Sequence, residues 1–221
     1  MVKLADLGFR KGEIAETVVS TYNTDEKPNA APIGVTINNS KQVALKLYTT
    51  SATYKNIATK KSAVINVTDN IEIFYRTAFK EFNPNGKVPK EWFQPAEKIE
   101  APKLRNADAT IEVSVLNITP IEEEQAMVLC KVIHINTTKK PPHVYCRAFG
   151  LTLEAIIHAT RVKKFLSGTS DQKKQANKLL QTIEECSSIV KRVAPNSPYT
   201  KIMTNLDHMI NGWRKENENL H

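Results

Sequence analysis

Apolar and polar positions alternate through the first half of the chain and recur at helical spacing through the last third. Residues 13–22 alternate around a β-branched run and predict a strand, followed by a polar turn at 23–28 and a returning strand over 29–37. Asn38-Asn39-Ser40-Lys41 reads as a turn and 42–49 as a third strand. Residues 51–61 predict a short helix: hydroxyls come first, Tyr54, Ile57 and Ala58 recur at helical spacing, and lysines close it, which suits both capping and the helix dipole. The run Ala-Val-Ile-Asn-Val inside 62–68 predicts a strand. Residues 71–82 carry apolar side chains at both spacings and are assigned to a helix.

The loop 83–107 holds Pro84, Pro89, Pro95 and Pro102 and the turn signal Asn85-Gly86. A loop of that length in an ordered domain implies a lid or a subunit contact, and Trp92 and Phe93 imply that it packs on something. Residues 109–118 and 125–137 predict a strand pair around a solvated turn at 122–124, and 144–149 an edge strand or a lead into the helices. Leu151, Ala155, Ile156, Ala159 and Val162 share one helical face; Gly168-Thr-Ser-Asp171 caps a second helix; Ser197 and Pro198 start a third as N-cap and first helical residue. Strands first and helices last give an α+β protein, with a small-barrel or sheet core over 1–150 and a helical subdomain over 151–221.

Composition narrows the class. The chain has 221 residues, 41% hydrophobic and 24% charged, which is ordinary for a soluble globular protein. It has no run of about 18 apolar residues that would cross a membrane. The first ten residues lack the apolar core of a signal peptide, and Cys130, Cys146 and Cys186 are widely spaced, so the expectation is a cytoplasmic protein with reduced cysteines. The net charge of +8 permits a nucleic-acid surface, but the lysines are scattered in ones and twos without interleaved aromatics. Nucleic-acid binding therefore ranks last among the functions considered. No metal-ligand spacing, no Gly-x-Ser-x-Gly and no other catalytic nucleophile signature is present. That leaves chemistry carried by a cofactor.

Two segments are candidates to hold one. Ala30, Ala31, Pro32, Ile33 and Gly34 form a strand of small residues interrupted by proline, fitted to an edge, a bulge, or a flat object lying against backbone. Where the third strand turns into the first helix, Thr49, Ser51, Thr53 and Asn56 cluster with Lys46 and Lys55 beside unpaired helix N–H groups. This could cradle a phosphate, or simply cap the helix.

Taken together, Gly12-Glu-Ile14, Thr17-Val-Val-Ser-Thr-Tyr-Asn23, Pro28-Asn-Ala-Ala-Pro-Ile-Gly-Val35, Lys46-Leu-Tyr48, Thr53-x-x-Asn56, Asn66-Val-Thr-Asp69 and Glu154-Ala-Ile-Ile-His-Ala-Thr-Arg161 resemble the FMN-binding split-barrel superfamily of flavin reductases and pyridoxamine-phosphate-oxidase-like proteins. More narrowly, the chain resembles a largely archaeal domain-of-unknown-function family, DUF447-like. The resemblance implies an FMN-binding split β-barrel with a C-terminal helical subdomain, dimeric, with FMN at the subunit interface. It implies that the backbone of Ala30 to Gly34 lies beside the flavin ring and that the turn from Thr49 to Asn56, with Ser51 and Thr53, binds the phosphate, with Lys46 and Tyr48 also among the cofactor-binding residues. The Arg-Lys pair of the oxidase branch is missing from this turn, which leaves the phosphate's cation open. Glu154, His158 and Arg161 share one face of the helix over 151–166, which reads either as His158 and Arg161 reaching the flavin or its phosphate or as a helix-surface ion network. An FMN-dependent oxidoreductase taking electrons from NAD(P)H to a small acceptor, or a non-catalytic FMN-binding, electron-transfer or sensing protein, are the functions implied.

Overall fold

In the computed structural model, which describes residues 2–138 and 147–218, the alternating segments close into a six-stranded antiparallel barrel. Its strands are β1 (Ala15–Tyr22), β2 (Pro28–Asn39), β3 (Gln42–Tyr48), β4 (Ser62–Val67), β7 (Ala109–Glu122) and β8 (Gln125–Thr137), in the order β1-β2-β3-β8-β7-β4. The period of two sends Val19, Val35, Val43, Leu45, Leu47, Ile65, Ile111, Val113, Val128 and Cys130 into one core. The helix α1 (Ala52–Lys60) adds Ile57 to that core, and the N-terminal segment adds Leu4 and Phe9. Burial pushes the Cys130 thiol up to about 12, so it is inert as a nucleophile.

Several boundaries differ from the sequence expectation. The first turn closes at Lys27, whose carbonyl accepts from Asn23 N at 2.9 Å, so Pro28 already belongs to β2. β7 runs four residues past Ile118, to Glu122, and pairs with β8 as a long ribbon. The helix expected over 71–82 is α2 (Ile71–Ala78), followed by a short 3-10 turn.

The segment 83–107 is ordered by the barrel. It contains the short strands β5 (Phe93–Pro95) and β6 (Pro102–Leu104), which pair with each other, and 93–104 lies as a strap over the outer face of β1, β4 and β7. Register explains what it covers: Ser20, Val64 and Glu112 are cross-strand partners, with Asn66 two residues along on the same face. All four are fully buried. The Glu112 carboxylate accepts from the backbone N–H of Glu97 and Lys98, each at 2.7 Å. Asn66 Oδ1 accepts from Leu104 N at 2.8 Å, and Ser20 Oγ donates to Pro102 O at 2.6 Å.

The strap's outer rim carries a pH-dependent clasp. Glu97 Oε1 accepts from Lys103 Nζ at 2.7 Å and Asn136 Nδ2 at 2.9 Å, and Oε2 lies 3.2 Å from His134 Nε2. The Lys103 hydrogen bond, then that of Asn136, hold the Glu97 carboxyl down to about 2 against an ordinary 4.5. A lowered folded-state pKa adds stability that is complete above the unfolded value and is lost as pH falls toward the folded one. Wild type is therefore expected to lose melting temperature between pH 4.5 and about 2 more steeply than Glu97→Gln, as followed by circular dichroism. Parallel curves for the two proteins would remove the clasp from the acid response.

A second unit is helical and comprises α2, α3 (Ala148–Phe165), α4 (Ser170–Val193) and α5 (Pro198–Glu218). The barrel unit lies within 1–69 and 79–141, the helical unit within 70–78 and 142–221. α2 joins the helices through its apolar face: Phe74 meets Phe149 edge-to-face at 6.2 Å, and Tyr75 Oη donates to Met209 Sδ at 3.5 Å. Thr169 and Gln172 form a capping box on α4. Thr200 N donates to Ser197 Oγ at 3.4 Å, so the Ser197 cap and the Pro198 start of α5 are present. The expectation for 144–149 and Cys146 falls mostly outside the described residues; α3 begins at Ala148.

Candidate functional site

The small-residue half of β2 has one occupied edge and one open edge. β1 pairs with it from Tyr22↔Pro28 to Ala15↔Val35, whereas β3 pairs only from Val35↔Leu45 onward. Beyond that point Lys46, Leu47 and Tyr48 pair with β8 alone. Ala30 to Gly34 therefore present one backbone edge without a strand partner among the described residues, and exposed backbone groups require water or a ligand.

Alternation divides these five residues. Ala30, Pro32 and Gly34 share a face with their partners Ser20, Val18 and Glu16, while Ile33 packs against the barrel core. Gly34 has an additional reason to be small: a Cβ there would sit 2.6 Å from Ile14 Cγ2.

At the start of this stretch lies a buried polar cluster. Asn56 Nδ2 donates to Thr21 Oγ1 at 2.9 Å and to Asn23 Oδ1 at 2.8 Å. Asn29 Nδ2 approaches Thr21 Oγ1 at 3.5 Å and Thr53 Oγ1 at 3.4 Å. Thr21, Asn29, Thr53 and Asn56 are all buried. Lys80 Nζ donates to Asn29 Oδ1, and burial pushes the Lys80 ammonium below the usual lysine range. Asn56 spends both amide hydrogens on β1 and the adjoining turn, which fixes α1 against the barrel.

The remaining turn residues are distributed differently. Ser51 is the N-cap of α1: its hydroxyl accepts from Tyr54 N at 3.1 Å and donates to Tyr48 O at 2.7 Å. Thr49 N donates to Glu124 O at 2.9 Å, tying the turn to the β7–β8 ribbon. Lys46 lies 3.3 Å from Glu122, its side chain exposed, and Tyr48 is half exposed. Lys55 is exposed at the helix surface.

His158 and Arg161 lie on α3, in the helical unit. His158 Nε2 is 3.1 Å from Glu154 Oε1, one turn earlier, whereas its Nδ1 is buried without a hydrogen-bond partner among the described residues. Arg161 is exposed. Among the described residues, no group of three His, Cys, Asp or Glu side chains could hold a metal ion, and no helix is long and apolar enough to cross a membrane.

The sequence profile of the N-terminal domain of DUF447, described as a protein of unknown function, matches residues 15–155, well over half of the chain. The chain belongs to the DUF447 family. Among its relatives is the uncharacterized protein MJ1453 of Methanocaldococcus jannaschii, 29% identical over 186 residues that cover 81% of this chain and 90% of that one. Its fold is similar to the crystal structure of the FMN-bound DUF447 protein MM1853 from Methanosarcina mazei, with a TM-score of 0.74 and 23% identity over 93% of this chain and 98% of that one. The DUF447 chain described here thus has the α+β split-barrel architecture that its sequence resembles.

Three residues of the polar cluster carry no site role from the sequence: Thr21 lies within the first strand and gives no sign of it. Asn29 was visible as the first residue of the small-residue strand but carried no assigned role. Lys80 sits between Phe79 and Phe82 in a segment of mixed periodicity, and a lysine among aromatics was the one faint sign that it is partly buried.

Proposed function

We propose that this DUF447 protein binds FMN non-covalently in the barrel unit and acts as an FMN-dependent oxidoreductase between a reduced nicotinamide and a small acceptor. The reading is carried by the open edge of β2, where small residues run directly into the buried cluster at Asn29. Bound FMN would supply reversible hydride and electron transfer at its ring. Ala30, Ala31, Pro32, Ile33 and Gly34 would hold that ring: short side chains admit a flat group, and Pro32 brings no N–H. Lys46 and Tyr48, past the end of the β2–β3 ladder, and Thr49, Ser51, Thr53 and Asn56 in and after the turn, would frame the phosphate end. The FMN-bound relative of the same fold supports the choice of cofactor.

The reading includes a homodimer with FMN at its interface, supported by the exposed apolar side chains of Ile14, Tyr48, Leu116, Ile121 and Ile133 on the barrel unit. Protein incubated with FMN and then desalted is expected to keep one flavin per chain by absorbance, at the mass of two chains by light scattering. Colourless protein after incubation with excess FMN would falsify the reading, and a monomer that holds FMN would remove the interface from it. Anaerobic NADH or NADPH is expected to bleach the bound flavin; bleaching by neither replaces the oxidoreductase with a passive FMN carrier or sensor.

A further inference from the structure

We propose that Lys80 is the cation that reads the FMN phosphate, and hence the residue by which this protein distinguishes FMN from riboflavin. The inference rests on the FMN site proposed above and names the cation that the turn after β3 does not supply.

Four lysines of the barrel unit have carboxylate partners, Lys27 with Asp25, Lys46 with Glu122, Lys60 with Glu26 and Lys103 with Glu97, and others such as Lys55 are exposed to solvent. Lys80 differs. Among the described residues its Nζ has one partner, the neutral Asn29 amide oxygen, and no carboxylate within ion-pair distance. An ammonium carries three donors, of which Asn29 takes one, and a half-buried charge is costly unless an anion lies beside it. Burial pushes the Lys80 ammonium below the usual lysine range, as desolvation disfavours the charged form.

The groups around it complete a donor set. Thr53 Oγ1 accepts from Asn29, while its own proton has no acceptor among the described residues. Asn29 cannot turn to serve the ligand instead, because its oxygen faces Lys80 and its nitrogen faces Thr21 and Thr53. Asn56 is fully committed to Thr21 and Asn23. What remains is one ammonium and one hydroxyl, both donors, beside the open edge of β2. A phosphate dianion accepts from both, and its charge compensates the lysine. The ribityl chain holds ring and phosphate apart, and the stretch from Gly34 back to Asn29 supplies that separation along β2.

Flavin fluorescence quenching gives dissociation constants for FMN and for riboflavin, which lacks the phosphate. Wild type is expected to bind FMN more tightly than riboflavin. Lys80→Met is expected to weaken FMN roughly 10- to 100-fold, the scale of a lost charge-assisted hydrogen bond, and to leave riboflavin unchanged. Lys80→Arg is expected to retain part of the preference for FMN. Unchanged riboflavin affinity in Lys80→Met also shows that the site is folded. Equal loss of both flavins, no loss of either, or a wild type that binds both equally overturns the role of Lys80. A wild type that binds neither flavin overturns the FMN reading itself.

Discussion

Glu112→Ala is expected to lower the free energy of unfolding by about 3 kcal/mol, measured by denaturant titration. Glu112 is fully buried on the outer face of β7, where its two carboxylate oxygens each take a backbone N–H of the strap at 2.7 Å. A hydrogen bond to a charged acceptor contributes about 1.5–3 kcal/mol, and two are lost together. Removing the buried charge also removes its desolvation cost, which offsets part of the loss. Glu112→Gln keeps one acceptor in place and is expected to lose about half as much. A loss below about 1 kcal/mol for the alanine variant would mean that the Glu97 and Lys98 amides are satisfied by water once the carboxylate is gone.

Asn66→Ala is expected to cost about 2–4 kcal/mol and to release β6 from the barrel. Asn66 Nδ2 donates to Val18 O and Ser20 Oγ, both at 2.8 Å, while its Oδ1 accepts from Leu104 N. Ser20 in turn donates to Pro102 O, so one side-chain circuit ties β1, β4 and β6 together. No apolar side chain can make these bonds, and truncation strands a buried donor and a buried acceptor. Faster hydrogen exchange at the Leu104 amide, with the core of β8 still protected, is the expected signature. Asn66→Asp tests the donor role separately: it keeps an acceptor for Leu104 N but turns a carboxylate oxygen toward Val18 O, and is expected to be as harmful as alanine. Unchanged exchange at Leu104 in both variants would mean that contacts other than Asn66 hold the strap.

These two residues mark the limit of what the pattern along the chain reveals. In a strand, a polar residue between apolar neighbours normally faces water, and Asn66 and Glu112 have that spacing. They are buried because 93–104 returns across the sheet, and no local feature of 62–67 or 109–122 specifies that return. The prolines and the Trp92-Phe93 pair announced a packed loop but not the face it covers. The turn after β3 shows the reverse case. Its hydroxyls were legible as either caps or phosphate ligands, and the structure makes Ser51 the cap and leaves the Thr53 proton uncommitted. Lys80 was out of reach for a different reason: it meets Asn29, 51 residues earlier, only after the barrel closes.

The sequence by itself determined the six barrel strands and the helices, the α+β order, and the small-residue run of β2, because period, capping residues and side-chain volume act over a few neighbours. Tertiary structure alone decided where the β2–β3 ladder ends, which buried polar groups the strap satisfies, and which lysine faces the polar cluster with no carboxylate beside it among the described residues. Those features depend on burial and on pairs distant in sequence, and neither exists until the chain has closed on itself.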